Sequence, residues 1–174
     1  MFIFGHIGVT IGIFSVIGYL VPHIRDRINY WYVALGAILP DIIDKLLGRV
    51  ILSYSLASGR LIAHTFVFVF LLGLMGFYIY KRSSDVRILL ISGASFLHLL
   101  EDTMWMQPVN LFWPLFGWKF PRGTPDNWLD YFMVMFRNSY IPDLSYVFIS
   151  DVVGFTIVFL FIVKRWKAAA IART

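Results

Sequence analysis

The sequence predicts an all-α polytopic membrane protein, a bundle of about five transmembrane helices with an interfacial helix and an aromatic loop. Composition is the first reason: 59% of the chain is hydrophobic and 14% charged, against about 25% charged in an ordinary soluble domain. Mean hydropathy is +0.76. Length is the second. At ~20 residues per crossing of a ~30 Å hydrocarbon core, 174 residues suit a single integral membrane domain, 1–174, with no second soluble unit. The third is pattern: long apolar runs alternate with short segments carrying proline, small residues or bunched charge.

The first crossing is expected from about Phe2 to Val21. It ends at Pro22, whose missing N–H and ring stop a helix. No basic stretch precedes it and no small-residue cleavage pattern follows, so it is expected to be retained. After the basic turn Arg25-Asp26-Arg27, a second crossing runs from about Tyr30 toward Leu52. Pro40 and the polar stretch Asp41 to Lys45 interrupt it, and its latter part is expected to leave the hydrocarbon or line a cavity. A small-residue loop, Ser53 to Gly59, leads to a third crossing, about Leu61 to Tyr80, which ends in the charged turn Lys81 to Arg87.

A fourth crossing spans about Ile88 to Met106. From Gln107 to Pro125 four prolines, glycines and interleaved Trp and Phe read as a structured loop at the interface, where amphipathic aromatics sit. Asp126 or Asn127 can cap a short helix with Trp128, Leu129, Phe132, Met133 and Phe136 on one face. The fifth crossing, about Leu144 to Val163, closes with Lys164-Arg165-Trp166-Lys167. Directly after an apolar crossing, that tail reads as an anchor for anionic headgroups; no nucleic-acid partner is expected. The turn after the first crossing, the turn after the third and this tail fall on one side and are dense in Lys and Arg. That side is expected to be cytoplasmic, with the N-terminus facing outward.

Followed through the same alternation, His6, Asp41, Asp44, His64, His98 and Asp102 all fall toward one membrane face. Ionisable side chains inside a bilayer cost several kcal/mol and mark functional sites, and six at one depth need a compensating partner. Asp41 with Asp44 and His98 with Asp102 stand three and four apart, so each pair lies on one helical face. With no cysteine in the chain, imidazole and carboxylate are the strong ligands, a set that suits Zn²⁺, with Mn²⁺ or Fe²⁺ also accommodated. Six exceed what one catalytic zinc takes, so one or two ions are expected, with some of the six outside direct coordination.

The segments Gly36-Ala37-Ile38-Leu39-Pro40-Asp41-Ile42-Ile43-Asp44-Lys45, Gly59-Arg60-Leu61-Ile62-Ala63-His64-Thr65, Phe96-Leu97-His98-Leu99-Leu100-Glu101-Asp102 and Leu111-Phe112-Trp113-Pro114-Leu115-Phe116-Gly117-Trp118-Lys119-Phe120-Pro121 carry a resemblance. They look like those of the predicted membrane-bound metal-dependent hydrolases, some bacterial members of which are named as regulated by the SOS repressor. That family is distantly similar to zinc-dependent phospholipase C and P1 nuclease. Where other branches place a histidine before the arginine this chain has Gly59, which removes one ligand position of a trinuclear arrangement.

The resemblance, from His6 to about Arg122, implies a phosphoester hydrolase of the prokaryotic cytoplasmic membrane that uses a metal-activated water. Glu101 would accept a proton or orient a ligand. Arg60, Lys119 and Arg122 would hold the phosphate of a lipid or lipid-linked substrate among membrane lipids, at an outer-face site with the C-terminus cytoplasmic.

Plainer readings stand beside these. His23 is read as an interfacial residue, and Trp105, Met106, Trp113, Trp118, Met133 and Met135 as interface and packing. Asp151 either faces the site or bonds to a neighbouring helix, and Arg60 can snorkel to phosphates without selecting a substrate. A metal-ion or proton transporter, or a metal-binding scaffold without catalysis, is the alternative function. A transport pathway needs polar residues across the whole bilayer, whereas here the opposite helix halves carry almost none apart from Asp151.

Overall fold

The structure is a computed structural model that describes residues 2–52, 58–122, 128–141 and 145–171, and among these it is built of helices and turns alone. Helix α1 (Ile3–Leu20) is followed by the single turn α2 (Pro22–Arg25). Pro22 ends the one and starts the other: a residue before proline is pushed out of the helical region, and Val21 sits at φ −124°, ψ 78°. Helix α3 (Tyr30–Lys45) is capped by Asn29, whose side chain accepts from the Trp31 N–H at 3.0 Å. It runs into a π-helical stretch, Leu46–Ile51. Helices α4 (Phe66–Ser83) and α5 (Arg87–Glu101) follow. A 3-10 turn, Met104–Met106, and the short α6 (Pro108–Leu111) lead into the aromatic loop. Amphipathic α7 (Trp128–Tyr140) and long α8 (Tyr146–Ile171) complete the order.

The chain is a helical membrane bundle. Five of its helices lie where crossings were expected, and three of them, α1, α4 and Tyr146–Ala168 of α8, have the length and apolarity to cross a membrane. At 1.5 Å per residue, α3 with 16 residues and α5 with 15 reach only ~22–24 Å. They lie against the other helices and carry the polar residues that lower their apolarity.

Two boundaries differ from expectation. Pro40 does not stop α3, because the carbonyl it leaves without an N–H is supplied from α5 by Ser95. Helix α4 starts at Phe66 rather than Leu61, because the segment before it is held in turns and Thr65 caps the helix, accepting from the Phe68 N–H at 3.1 Å. Asp126 and Asn127, the expected caps of α7, lie outside the described residues.

Side by side the long helices run α8, α1, α3, α5, α4, each packing on the next. Among the approaches close enough to need glycine, two join long helices near the site. A Cβ on Gly8 would strike the backbone of Gly154, joining α1 to α8, and one on Gly36 would strike the Ile91 carbonyl and Ala94, joining α3 to α5. Such small-residue contacts drive association where lipid removes the hydrophobic gain.

The apolar core around Ile11, Ile28, Val33, Leu90 and Ala94 fills one half of the bundle. The other half is polar inside, and Val69, Leu99 and Met104 close over it. Outward faces of α4 and α8, such as Phe70, Leu74, Phe155 and Leu160, are exposed and apolar, as a lipid boundary requires. Helix α7 rests on the start of α1 through an edge-to-face contact of Phe136 with Phe2.

Candidate metal centre

The polar half is organised by α3 and α5. Proline at position 40 has no N–H for the carbonyl one turn back, Gly36, and its ring disturbs that turn. Across the glycine contact, α5 supplies donors: Ser95 Oγ donates to the Gly36 carbonyl at 3.0 Å, and His98 Nδ1 donates to the Ala37 carbonyl at 2.7 Å. A carbonyl only accepts, so Nδ1 of His98 carries the proton and Nε2 is left as a lone pair.

His64 is fixed in the same sense by other means. The carboxylate of Asp44, wholly buried, accepts the backbone N–H groups of Leu61 (2.6 Å), Ala63 (2.9 Å) and His64 (3.0 Å), and the His64 Nδ1–H at 2.8 Å. These four bonds hold residues 61–64 in turns. They also point Nε2 of His64 away from Asp44, the carboxylate–histidine arrangement that orients metal ligands.

The two Nε2 atoms meet at 3.2 Å. Asp41 Oδ1 lies 3.7 Å from the one and 3.9 Å from the other, and Asp102 Oδ2 lies 3.8 Å from that of His64. Ligand atoms of Asp41, His64, His98 and Asp102 all fall within 4.8 Å of one another. Two imidazole lone pairs facing each other beside two carboxylates repel unless a proton or a metal cation lies between them. A four-donor nitrogen and oxygen set of this kind fits a divalent transition metal. The cluster can hold a metal ion.

Of the six expected ligands, the structure brings these four together. Asp44 stands behind His64, its oxygens already occupied. His6 joins through Asp102: its Nε2 is 3.3 Å from Asp102 Oδ1, and its ring stacks on His98 with centroids 4.0 Å apart. Glu101, expected to handle a proton, has Oε2 at 2.8 Å from His6 Nδ1 and Oε1 accepting from Thr10 Oγ1 at 2.9 Å. Its place is to orient His6. Lys45 lies 2.6 Å from Asp41 Oδ2, one turn along α3, so the other oxygen faces the histidines.

Arg60 forks onto Asp102 Oδ2 with Nε at 3.1 Å and Nη2 at 2.9 Å, and its side chain remains 38% exposed. It therefore stands at the mouth. Asn110 holds the loop by donating to the Arg60 carbonyl at 3.2 Å. Lys119 and Arg122 are exposed on the aromatic segment; among the described residues neither joins the hydrogen bonds or ion pairs of the cluster. Asp151 turns to its neighbour helix, its Oδ1 accepting the Gly5 N–H at 2.7 Å at the start of α1.

The sequence reading missed Thr10, Ser95 and Asn110. Thr10 is one turn after His6 and Ser95 one turn before His98, so the helical period that paired His98 with Asp102 would also have found these two. Nothing local marks Asn110.

Fold and centre together define the class: a polytopic helical membrane protein with a buried His and Asp cluster at one end of the bundle. The profile of the YdjM inner membrane protein family matches residues 1–170. The chain belongs to that family and is an inner membrane protein. Neither a curated protein nor a solved structure is found to match it.

Proposed function

We propose that this protein is a membrane-embedded metal-dependent hydrolase of phosphoesters, with a lipid or lipid-linked substrate. One observation carries the reading: two histidines whose Nδ1 protons are committed elsewhere present bare Nε2 atoms to each other between two carboxylates. Asp41, His64, His98 and Asp102 would hold the ion, zinc by the chemistry of the set. A bound divalent ion polarises a phosphoryl oxygen and lowers the pKa of water to about 7.

The chain's own residues do the rest. Asp44 and the Ala37 carbonyl keep the imidazoles in the ligating tautomer. Glu101 and Thr10 hold His6 beside Asp102, where it can take or return a proton. Arg60, partly exposed at the mouth, has guanidinium N–H groups beyond the two bonds to Asp102 with which to meet phosphate oxygens. Among the described residues the other half of the bundle is filled by an apolar core, which favours a site open to one side over a conduction path.

The test is turnover of a panel of phospholipids and isoprenoid phosphates by purified protein, with chelator and Asp102→Ala as controls. Chelator-sensitive release of phosphate or headgroup, lost in the variant, is expected. Metal or proton flux in proteoliposomes with no such hydrolysis would establish the transport reading instead.

A further inference from the structure

Beside the centre a cavity of about 300 Å³ runs along the outer face of α4, lined by Ile62, Thr65, Phe68, Leu72, Met75 and Trp113 among others. We propose that it binds the single aliphatic chain of a lipid phosphate monoester whose phosphate lies at Arg60; this names the substrate of the hydrolase proposed above and rests on that reading.

The cavity is continuous with the centre through the chain itself. Ile62 and Thr65 bracket His64, and the Thr65 hydroxyl donates to the Ile62 carbonyl at 2.7 Å. At the other rim, the Trp113 backbone N–H donates to the Asn110 carbonyl at 3.2 Å, and the Asn110 side-chain amide donates to the Arg60 carbonyl. Through Asn110 the backbone that carries Arg60 is thus tied to the backbone that carries Trp113, whose side chain borders the cavity. Along the chain the cationic Arg60 precedes by two residues the apolar lining that begins at Ile62, the order of head and tail in an alkyl phosphate.

Size and access select the occupant. The volume lies at the bottom of the range of ligand pockets, about 300–1,000 Å³, room for one chain rather than two. From Thr65 to Met75 the groove follows ten residues, ~15 Å of helix, so an extended chain lies parallel to α4. Met75 and the neighbouring Leu71 are exposed on a membrane-crossing helix, so a chain enters sideways from the lipid and its phosphate need not leave headgroup depth.

The test is photolabelling of the purified protein in detergent with dodecyl phosphate carrying a mid-chain diazirine, mapped by mass spectrometry. Label is expected on Phe68, Leu72 and Met75, displaced by dodecyl phosphate and much less by dodecanol, inorganic phosphate or two-chain phosphatidate. Leu72→Trp fills the groove, and labelling of Phe68 and Met75 should fall roughly tenfold, the equivalent of about two buried methylenes.

Label spread equally over the lipid face of α8, or displacement by dodecanol as effective as by dodecyl phosphate, would overturn the proposal. Equal displacement by phosphatidate would overturn the single-chain assignment. Hydrolysis of dodecyl phosphate without groove labelling would remove the chain site and leave the hydrolase reading standing. Groove labelling without turnover would do the reverse.

Discussion

Asp44 shows what a single buried carboxylate can organise. It accepts three backbone N–H groups and one imidazole N–H, all within 3.0 Å. Replacing it with alanine leaves buried donors without acceptors, each costing about 1–3 kcal/mol. Asp44→Ala should therefore lose ~3 kcal/mol or more of stability, read as a lowered melting temperature in detergent, and metal affinity should drop by about 10–100-fold, the usual effect of removing a partner behind a ligand. By contrast, His98→Ala and Asp102→Ala each take away a donor of the cluster and should lower metal per protein, measured by elemental analysis with and without chelator. Metal content unchanged in both would refute the metal reading of the site.

The residues of the centre were legible from depth and spacing, since His6, His64, His98, Asp41, Asp44 and Asp102 were all expected toward one face. Their division of labour was not. Nothing in the spelling of Asp41-Ile42-Ile43-Asp44 tells which carboxylate faces the histidines. That depends on where residues 61–64 fold back, a contact 17 to 20 positions away along the chain.

Among elements, α3 is the informative one. Pro40 was read as an interruption within a crossing that runs on toward Leu52, and on local propensity that is sound. The helix continues because Gly36 lets α5 come close enough for Ser95 and His98 to use the carbonyls that the proline turn exposes. Propensity sees the lost hydrogen bond but not the donors from another helix.

Pro40→Ala restores an N–H that competes for the Gly36 carbonyl. The variant should be as stable as the parent or more so, yet bind metal more weakly, because the turn that positions the His98 acceptor relaxes. Calorimetric metal titration beside thermal melting checks both halves. Gly36→Val should do the opposite kind of damage, forcing α5 off α3 through the clash with the Ile91 carbonyl; a cost of several kcal/mol is expected for overpacking against backbone, more than the about 1–3 typical of side-chain crowding.

On the scale of the molecule, a set of arginines stacked on aromatic rings lies at the end opposite the site. Arg165 lies over the rings of Tyr30 and Phe161, and Arg87 over Tyr32, which gathers the start of α3, the start of α5 and the end of α8 at one end of the bundle. The cluster is at the other. The bias of basic residues toward the cytoplasm then predicts an outward-facing centre with a cytoplasmic C-terminus. The chain has no cysteine, so single substitutions report directly: Ser84→Cys should be labelled by an impermeant maleimide only after cells are broken, and Lys119→Cys in intact spheroplasts. The reverse pattern would invert the assignment. The fold class was legible from composition alone, whereas the span count was not, because α3 and α5 shorten against their neighbours rather than reaching across by themselves.

The bond from Gly5 to Asp151 links positions 146 residues apart, and α1 packs chiefly on α8, a helix made much later. At a translation rate of about 5–20 residues per second, that separation corresponds to roughly 7–30 s. For this interval the first helix waits in the membrane with the Gly5 N–H lacking its acceptor, although His6 meets Glu101 and Asp102 earlier. A ribosome that stalls before Asp151 therefore leaves behind a bundle whose polar end is unfinished on one side, and membrane proteases that survey exposed polar groups would have that long to find it.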